Sequence, residues 1–445
     1  MPETAQQAEP ECTPIRPIDV TIEPAWAEWE SALAEHNPDP ARRQLGIPND
    51  RPVVFSGHQP IVFHNGILAK LIAQHEAARR TGAARVWIVA DQDPVDLETV
   101  RVPVGRGEQL TSQTIQLLEA GSTPPGVPSA SLPTIHIKDT DDERLGALVS
   151  HLRDCAHEPS LARQFASATI RLACDRLGIE MPQLIYASDL FRCDLLFSIV
   201  QRTIDDPESC TRAYNTAVRA HPDARVRPLT IEDDRIELPL WGLRENRPRV
   251  PVDTDNIDDF GQGSLIPRGL LMSLLVRAHL GELFIHGTGG WAYDRVTHDW
   301  AKAWLGIELA PMALTTATQH LELGFSDDEA IDLDHAAWRL HHARHTPGML
   351  GDHDRQAHKD ELVEQIRVAK AEGSDPSKAF GELQRLLDAY RADHAQGLER
   401  LGEQVRRAQR MRDQIELAND RTWPFVLFSE EQLGELKRAV VDAMH

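Results

Sequence analysis

The sequence predicts an α/β protein with a parallel-sheet core, an inserted helical subdomain and a C-terminal antiparallel helical hairpin. Three observations carry this. Residues 52–70 read strand, glycine-bearing loop, helix. Residues 283–300 repeat that order. Residues from about 354 to 419 are dominated by Ala, Glu, Gln, Leu, Lys and Arg, interrupted once by Gly-Ser-Asp-Pro at 373–376. Strands alternating with helices at this spacing form βαβ units, with parallel strands and right-handed crossovers.

A chain of 445 residues divides, as a soft prior, into roughly three domains. The expected divisions are an N-terminal extension with a short helix (1–50) and a core (51–330) with an insertion around 135–260. A His-rich connection and hairpin (331–420) follow, then a segment returning to the core (421–445). An apolar content of 41% suffices for a sizeable core, and the mean hydropathy of -0.38 fits a soluble chain. Lys+Arg 47 against Asp+Glu 69 leaves a net charge of -22. That field repels nucleic acid and anionic membranes, so the expected partners are small-molecule substrates. No apolar run reaches the length of a membrane span, and the N-terminus carries no signal-type apolar stretch. Cys12, Cys155, Cys174, Cys193 and Cys210 form no CxxC pair and no metal-ligand spacing. They read as reduced thiols in a cytoplasmic protein, and no structural metal is expected.

In chain order, residues 1 to about 20 are rich in Pro, Glu and Gln, which predicts loose order. Trp26, Trp29 and Leu33 stand at helical spacing. Val53, Val54 and Phe55 form a buried strand, which Ser56-Gly57-His58-Gln59-Pro60 ends. A helix opens at His64-Asn65-Gly66 and runs to about Arg80. Residues 85–90 form the next strand, closed by Asp91-Gln92-Asp93-Pro94, and 100–104 a short edge strand. The Gly-, Ser- and Pro-rich run at 121–133 is a loop, 141–177 is helical, 183–187 a strand and 189–203 a helix. A helix starts at Ile266-Pro267-Arg268 and ends near Gly281, before the strand at 283–285 and the loop His286-Gly287-Thr288-Gly289-Gly290. The next helix runs through Trp300. A last strand at 309–314 is followed by the hydroxyls of Thr315, Thr316 and Thr318. Six histidines between 335 and 358 are irregularly spaced and read as a solvated loop. The hairpin's second arm spans about forty residues, or ~60 Å at 1.5 Å per residue. Its apolar stripe (Phe380, Leu383, Leu387, Tyr390, Leu401, Ala408, Met411, Ile415) is spoiled at His394, Gly397 and Gln404. The first arm is much shorter, so the surplus length needs another partner: the globular body or a second chain. The expected pairing is a homodimer.

The chemistry follows from placement. Ligands of open α/β sheets sit beyond the carboxyl ends of strands. A glycine loop leading into a helix N-terminus offers unpaired N–H groups to an anion. On this ground Gly66, Gly287 and Thr288 belong with His58, Asn65, Asp91 and Asp93 in one cleft. His58, Asp91 and Asp93 are candidate general bases, and Lys70 or Arg268 would neutralise a bound anion. The first stretch also fits a plain βα corner with a surface His and Lys.

The order VVFSGHQPIVFHNG, WIVADQD, LFIHGTGGWAYDRVTHDW, TTAT and a long helical hairpin resembles the cysteine-adding enzymes of bacillithiol synthesis, the BshC family. The likeness spans about 50 to 420 and is strongest in three short loops. It implies a Rossmann-like core of the class I synthetase type, an inserted subdomain and an antiparallel coiled coil. It also implies a ligase-type reaction that adds an amino acid, cysteine in the family, to an amino-sugar acceptor, with ATP or ADP as the nucleotide. Ser56, Gly57, His58 and Gln59 match the family's first loop. His64, Asn65 and Gly66 stand where the synthetases carry a nucleotide motif. Asp91, Gln92 and Asp93 match the acidic run, and His286, Gly287, Thr288, Gly289 and Gly290 the late loop, with Tyr293 and Asp294 just inside its helix. Thr316 adds a hydroxyl from the last strand. His58 stands where the family has Gln, and Trp291 where its late loop closes with Glu. The alternatives are a nucleotidyltransferase, or a non-catalytic nucleotide-binding or assembly protein that uses its coiled coil to recruit a partner.

Overall fold

In the computed structural model, which describes residues 17–232, 234–323 and 332–445, the chain forms two compact units. Cys12 and the N-terminal stretch to residue 16 lie outside the described residues. The larger unit comprises 16–102, 113–321 and 421–445.

The strands of the described residues in chain order are β1 (Asp19–Glu23), β2 (Val53–His58), β3 (Ala84–Val89), β4 (Thr99–Val104), β5 (Thr111–Gln116), β6 (Gln183–Tyr186), β7 (Ile231–Glu232), β8 (Arg235–Gly242), β9 (Val250–Asp253), β10 (Leu265–Pro267), β11 (Leu283–His286) and β12 (Met312–Thr318). Six of these make the central sheet, in the order β1-β12-β11-β2-β3-β6. All neighbours are parallel except β1, which runs antiparallel to β12. The chain winds outward from β2 to β3 on one side and from β11 to β12 on the other. The winding therefore reverses between β2 and β11, where such sheets leave a crevice beyond their carboxyl ends.

The sheet forms because its strands are apolar on both faces, as a sheet covered on both sides requires. Val53, Val54, Phe55, Val86, Trp87, Ile88, Phe284 and Ile285 are all buried, each side chain stabilising the fold by roughly 1.5–3 kcal/mol. Gln74, from the helix Asn65–Thr81, donates its amide to the carbonyls of Val54 (3.0 Å) and Val86 (2.8 Å), tying helix to sheet. That helix ends at Gly82 in the left-handed conformation.

Several expectations are corrected here. β1 overlaps the end of the stretch expected to be loosely ordered, and pairing with β12 orders Asp19 and Val20. Thr315 and Thr316 lie inside β12, not after it. Residues 265–267 are a strand paired with β8, and the helix begins at Gly269. Pro267 ends that strand, and the next helix closes with a π turn over Val276–Leu280. β4 pairs with β5 in a two-stranded sheet of its own and is not an edge strand of the central sheet. The region 135–260 holds helices such as Leu161–Leu177 and Pro207–Ala220. It also contributes β6 to the central sheet and β7 to β9, which with β10 form a small antiparallel sheet.

The second unit groups 103–112 with 322–420. Its described helices are Leu333–Ala343, His353–Ala371, Ser377–Asp393 and Ala395–Ala418. The turn at 373–376 forms as expected: Gly373 is left-handed and Pro376 precedes the next helix. The long arm breaks at His394. Its C-terminal half packs against Leu333–Ala343, part of the segment expected to be a His-rich loop. The surplus length thus has a partner within its own unit. Fully buried Tyr390 donates its hydroxyl to the Ala343 carbonyl at 2.6 Å.

Candidate functional site

The crevice between β2 and β11 opens into a cavity of about 420 Å³, within the range of small-molecule sites. Gly57, His58 and Gln59 line it at the end of β2, Gln92 and Asp93 after β3, and His286 through Gly290 at the end of β11. His64, Gly66 and Lys70 rise from the helix that follows β2, and Tyr293 from the helix Thr288–Leu305. Thr316 and Arg421 close the side next to β12.

Two glycines are required by close approach. A Cβ on Gly57 would lie 2.3 Å from the Ile88 carbonyl oxygen, and one on Gly290 would lie 2.4 Å from His286 Nδ1. Both distances are well inside van der Waals contact.

The two helix N-termini differ. The first is capped: His64 Nδ1 accepts the Gly66 N–H at 3.1 Å. The expectation of a free anion site at this helix is corrected, because the imidazole occupies it. The late helix starts at Gly287 with no side-chain cap. Its first intrahelical bond runs from Trp291 N–H to the Gly287 carbonyl at 2.9 Å. The N–H groups of Thr288, Gly289 and Gly290 precede that bond and have no intrahelical acceptor.

Lys70 is buried and donates to the Gly57 carbonyl at 2.5 Å. Burial pulls its amine down to about 7. Arg421 donates to the hydroxyls of Thr318 (3.1 Å) and Thr316 (3.3 Å). Among the described residues neither cation has a carboxylate partner. Burial and the Lys70 charge lower His58 to about 3, and burial with Arg421 and Lys70 lowers His64 to about 4. Both rings are uncharged at neutral pH. Burial also lowers His286, against the opposing pull of Asp294.

Asp93 faces the cavity, held by Arg249 Nη1 at 2.6 Å and by the Gln59 amide at 3.2 Å. Gln92 is 2% exposed, and its carboxamide oxygen has no hydrogen-bond partner. Such a buried acceptor is costly unless something donates to it.

Five expected site residues point elsewhere. Asp91 is buried and accepts from Ser188 N–H (3.0 Å) and Oγ (2.5 Å), with burial raising it to about 6. It organises the segment after β6 and does not line the cavity. Ser56 donates to the Ile285 carbonyl at 2.9 Å, bracing β2 against β11. Asn65 donates to Gln319 at 2.7 Å. Arg268 bonds Glu237 at 2.8 Å and stacks on Trp241, in the small antiparallel sheet. Asp294 accepts from Ser273 (2.7 Å), Arg277 (2.9 Å) and His286 (2.8 Å). Burial opposes its charge, yet His286 and Arg277 hold its carboxyl below the usual range. It fixes the His286 ring from beneath.

Arg421 and Arg249, which the sequence does not single out, complete the site together with the free oxygen of Gln92. Arg421 sits two residues before the apolar run that begins at Trp423, and Arg249 two residues before Pro251 in β9; both are loop-like contexts. No group of three or more His, Cys, Asp or Glu among the described residues is placed to hold a metal ion. None of their helices is long and apolar enough to cross a membrane.

The geometry defines a mixed α/β protein with one built crevice at the reversal of its parallel sheet. The chain matches no family model and no curated protein.

Proposed function

We propose that the crevice binds an anionic, nucleotide-type ligand such as ATP or ADP, and that the protein is a ligase-type enzyme forming a carbon–nitrogen bond. The observation that carries this is the meeting, in one cavity, of three uncapped N–H groups and two cations that have no carboxylate partner among the described residues. The N–H groups of Thr288, Gly289 and Gly290 suit phosphate oxygens, and Lys70 and Arg421 would offset their charge. On the opposite wall, Asp93 and the Gln92 oxygen suit a donor, either an amine or a ribose hydroxyl. His58, uncharged, is the candidate base for a nucleophilic amine. The resemblance to the cysteine-adding enzymes of bacillithiol synthesis supports an amino acid as that amine and an amino-sugar compound as acceptor. It also supports reading the core as synthetase-like, the helical unit as a coiled-coil hairpin and the protein as cytoplasmic.

The test is calorimetry and thermal shift with ATP, ADP, amino acids and amino-sugar malates, with release of pyrophosphate or ADP as the readout of turnover. A ligand that binds only the folded state raises its apparent stability. ATP or ADP should raise the melting temperature, and Lys70→Ala should lose most of that affinity. No shift with any of these compounds would overturn the reading.

A second reading, an assembly protein, draws on the helical unit, where Trp338 is 52% exposed and Val363, Val368 and Phe380 each at least 40%. A homodimer through this unit would appear as doubled mass by light scattering. A monomer at tens of micromolar would exclude a stable one.

A further inference from the structure

Lys70 is the side chain whose surroundings are hardest to explain as packing alone. It is 4% exposed and rises from the helix Asn65–Thr81 beneath the middle strand of the crevice. Its one hydrogen bond among the described residues goes to the backbone carbonyl of Gly57, and Trp87 lies 5.3 Å from its nitrogen. The titratable groups that feel its charge are His58 from β2, His64 from the helix cap and His286 from β11, and Arg421 from the C-terminal segment lines the same cavity. The nearby carboxylates are committed elsewhere: Asp93 to Arg249, Asp91 to Ser188 and Asp294 to Arg277. A desolvated lysine that shares its cavity with the Arg421 cation, and has no carboxylate partner among the described residues, is the arrangement that activates an amine as a nucleophile.

The strand order places that amine within the ligand's path. Gln92, with its unpartnered oxygen, stands beyond β3 on one side. The uncapped N–H groups of the late loop stand beyond β11 on the other. Lys70 lies between them, bonded at β2, with its Cδ 3.8 Å from where a Gly287 Cβ would sit. A nucleotide whose base or ribose meets Gln92 and Asp93, and whose terminal phosphates meet the late loop, carries its innermost phosphorus past Lys70.

We propose that Lys70 is a covalent catalytic residue that accepts the nucleotidyl group of a nucleoside triphosphate. This rests on the reading of the crevice as a nucleotide site. The Nζ lone pair attacks the α-phosphorus and an N–P bond forms. The bond from that phosphorus to the bridging oxygen breaks, and pyrophosphate leaves with the electron pair. The proton shed by Nζ passes to an uncharged imidazole of the wall, His58 or His64. In the second half a carboxylate oxygen of the acceptor attacks the same phosphorus. The N–P bond breaks, Nζ regains a proton, and an acyl nucleotide is released for attack by the amine. The late-loop N–H groups stabilise charge on the departing pyrophosphate.

The experiment incubates the full-length protein with ATP, quenches with denaturant and reads intact mass, with ATP binding measured in parallel by calorimetry. The expected result is one AMP per chain, stable in alkali and lost in acid as a phosphoramidate is. It should map to Lys70 by peptide analysis and be reversed by added pyrophosphate. Lys70→Met, which keeps the bulk and loses the nucleophile, should bind ATP more weakly and give no adduct. Should that variant fail to fold, the peptide map of the native protein decides: a label on another residue overturns the proposal. ATP binding without any acid-labile adduct overturns the covalent role and leaves the nucleotide site standing. Absence of ATP binding overturns both.

Discussion

The loops after β2 and after β11 are written alike, each a buried strand, a glycine-bearing turn and a helix, yet they do opposite work. After β2, His64 turns its imidazole onto the Gly66 N–H and closes the helix N-terminus. What this loop gives the cavity is side chains: His58, His64 and Lys70. After β11, Gly287 brings no cap, and what the loop gives is bare backbone N–H groups. Its one buried imidazole, His286, is braced beneath by Asp294. The lesson is that a glycine loop before a helix is an anion site only while its N–H groups stay unspoken for. One capping side chain converts it into a scaffold for other groups.

The largest expected effect comes from removing the brace of the late loop. Asp294→Ala leaves Arg277 and His286 without their shared buried carboxylate. Breaking such a pair costs about 3–5 kcal/mol, readable as a lower denaturant midpoint. A loss below about 1 kcal/mol would show that water replaces the carboxylate.

The first loop has no equivalent brace, and its signature is a pH dependence. Burial lowers Lys70 from its ordinary 10.5 to about 7. Below about 7 both folded and unfolded chains hold the proton, and the folded state carries the full cost of a buried charge. From about 7 to 10.5 the folded state sheds the proton while the unfolded chain keeps it, so stability rises with pH across that window. Lys70→Met should be more stable than the native protein at pH 7, and that advantage should shrink by pH 9.5. Urea midpoints of the two proteins at both pH values check this. Parallel curves would mean that Lys70 is solvated.

Much of this was legible in the sequence because the signals are local. The apolar runs at 53–55, 85–90 and 283–285 each lie in a strand of the central sheet, and the residues just after them line one cavity. The turn at 373–376 also formed as read. What local pattern cannot show is which of two polar neighbours faces the ligand. Asp91 and Asp93 are alternate residues past a strand end, and the contest was settled by Ser188 and Arg249, 97 and 156 residues away. Arg268 had equal claim to Lys70 by charge, but β8 supplied Glu237 and Trp241 to hold it. Arg421 reaches Thr316 across 105 residues. The histidines at 335–342 look loop-like by composition, but they share a helical register that packing of Leu333–Ala343 against Ala395–Ala418 rewards.

Glycine spacing sharpens the comparison within the late loop. At Gly290 an added methyl meets His286 Nδ1 at 2.4 Å, whereas at Gly289 nothing lies within 4 Å. Gly290→Ala must displace the imidazole and should cost about 1–3 kcal/mol, as overpacking does. Gly289→Ala should stay within about 0.5 kcal/mol of the native protein. Equal thermal denaturation curves for the two would refute the assigned ring position. In the first loop, His64→Ala removes the cap and should cost about 1 kcal/mol. It also frees the Gly66 N–H, so the variant should gain affinity for pyrophosphate even as it loses stability.

The smallest effect is the most diagnostic, because it runs the other way. Gly287 holds the cap position of the late helix with φ -90 and ψ -178, a conformation any residue adopts. A Cβ there would meet only the Lys70 Cδ, at 3.8 Å, an ordinary contact. Gly287→Ser therefore fits, and its hydroxyl can accept the N–H of Gly289 or Gly290, as His64 does for Gly66. Replacing Gly by Ser at a cap should add a few tenths of a kcal/mol of stability. The same hydroxyl takes a donor the proposed ligand needs. The variant should melt slightly higher and bind ATP or pyrophosphate several-fold more weakly, measured by calorimetry. A glycine kept where serine would be more stable marks a helix end left open for a ligand. If Gly287→Ser binds these anions as tightly as the native protein, the late N–H groups are not the anion site, and the two loops differ in structure without differing in role.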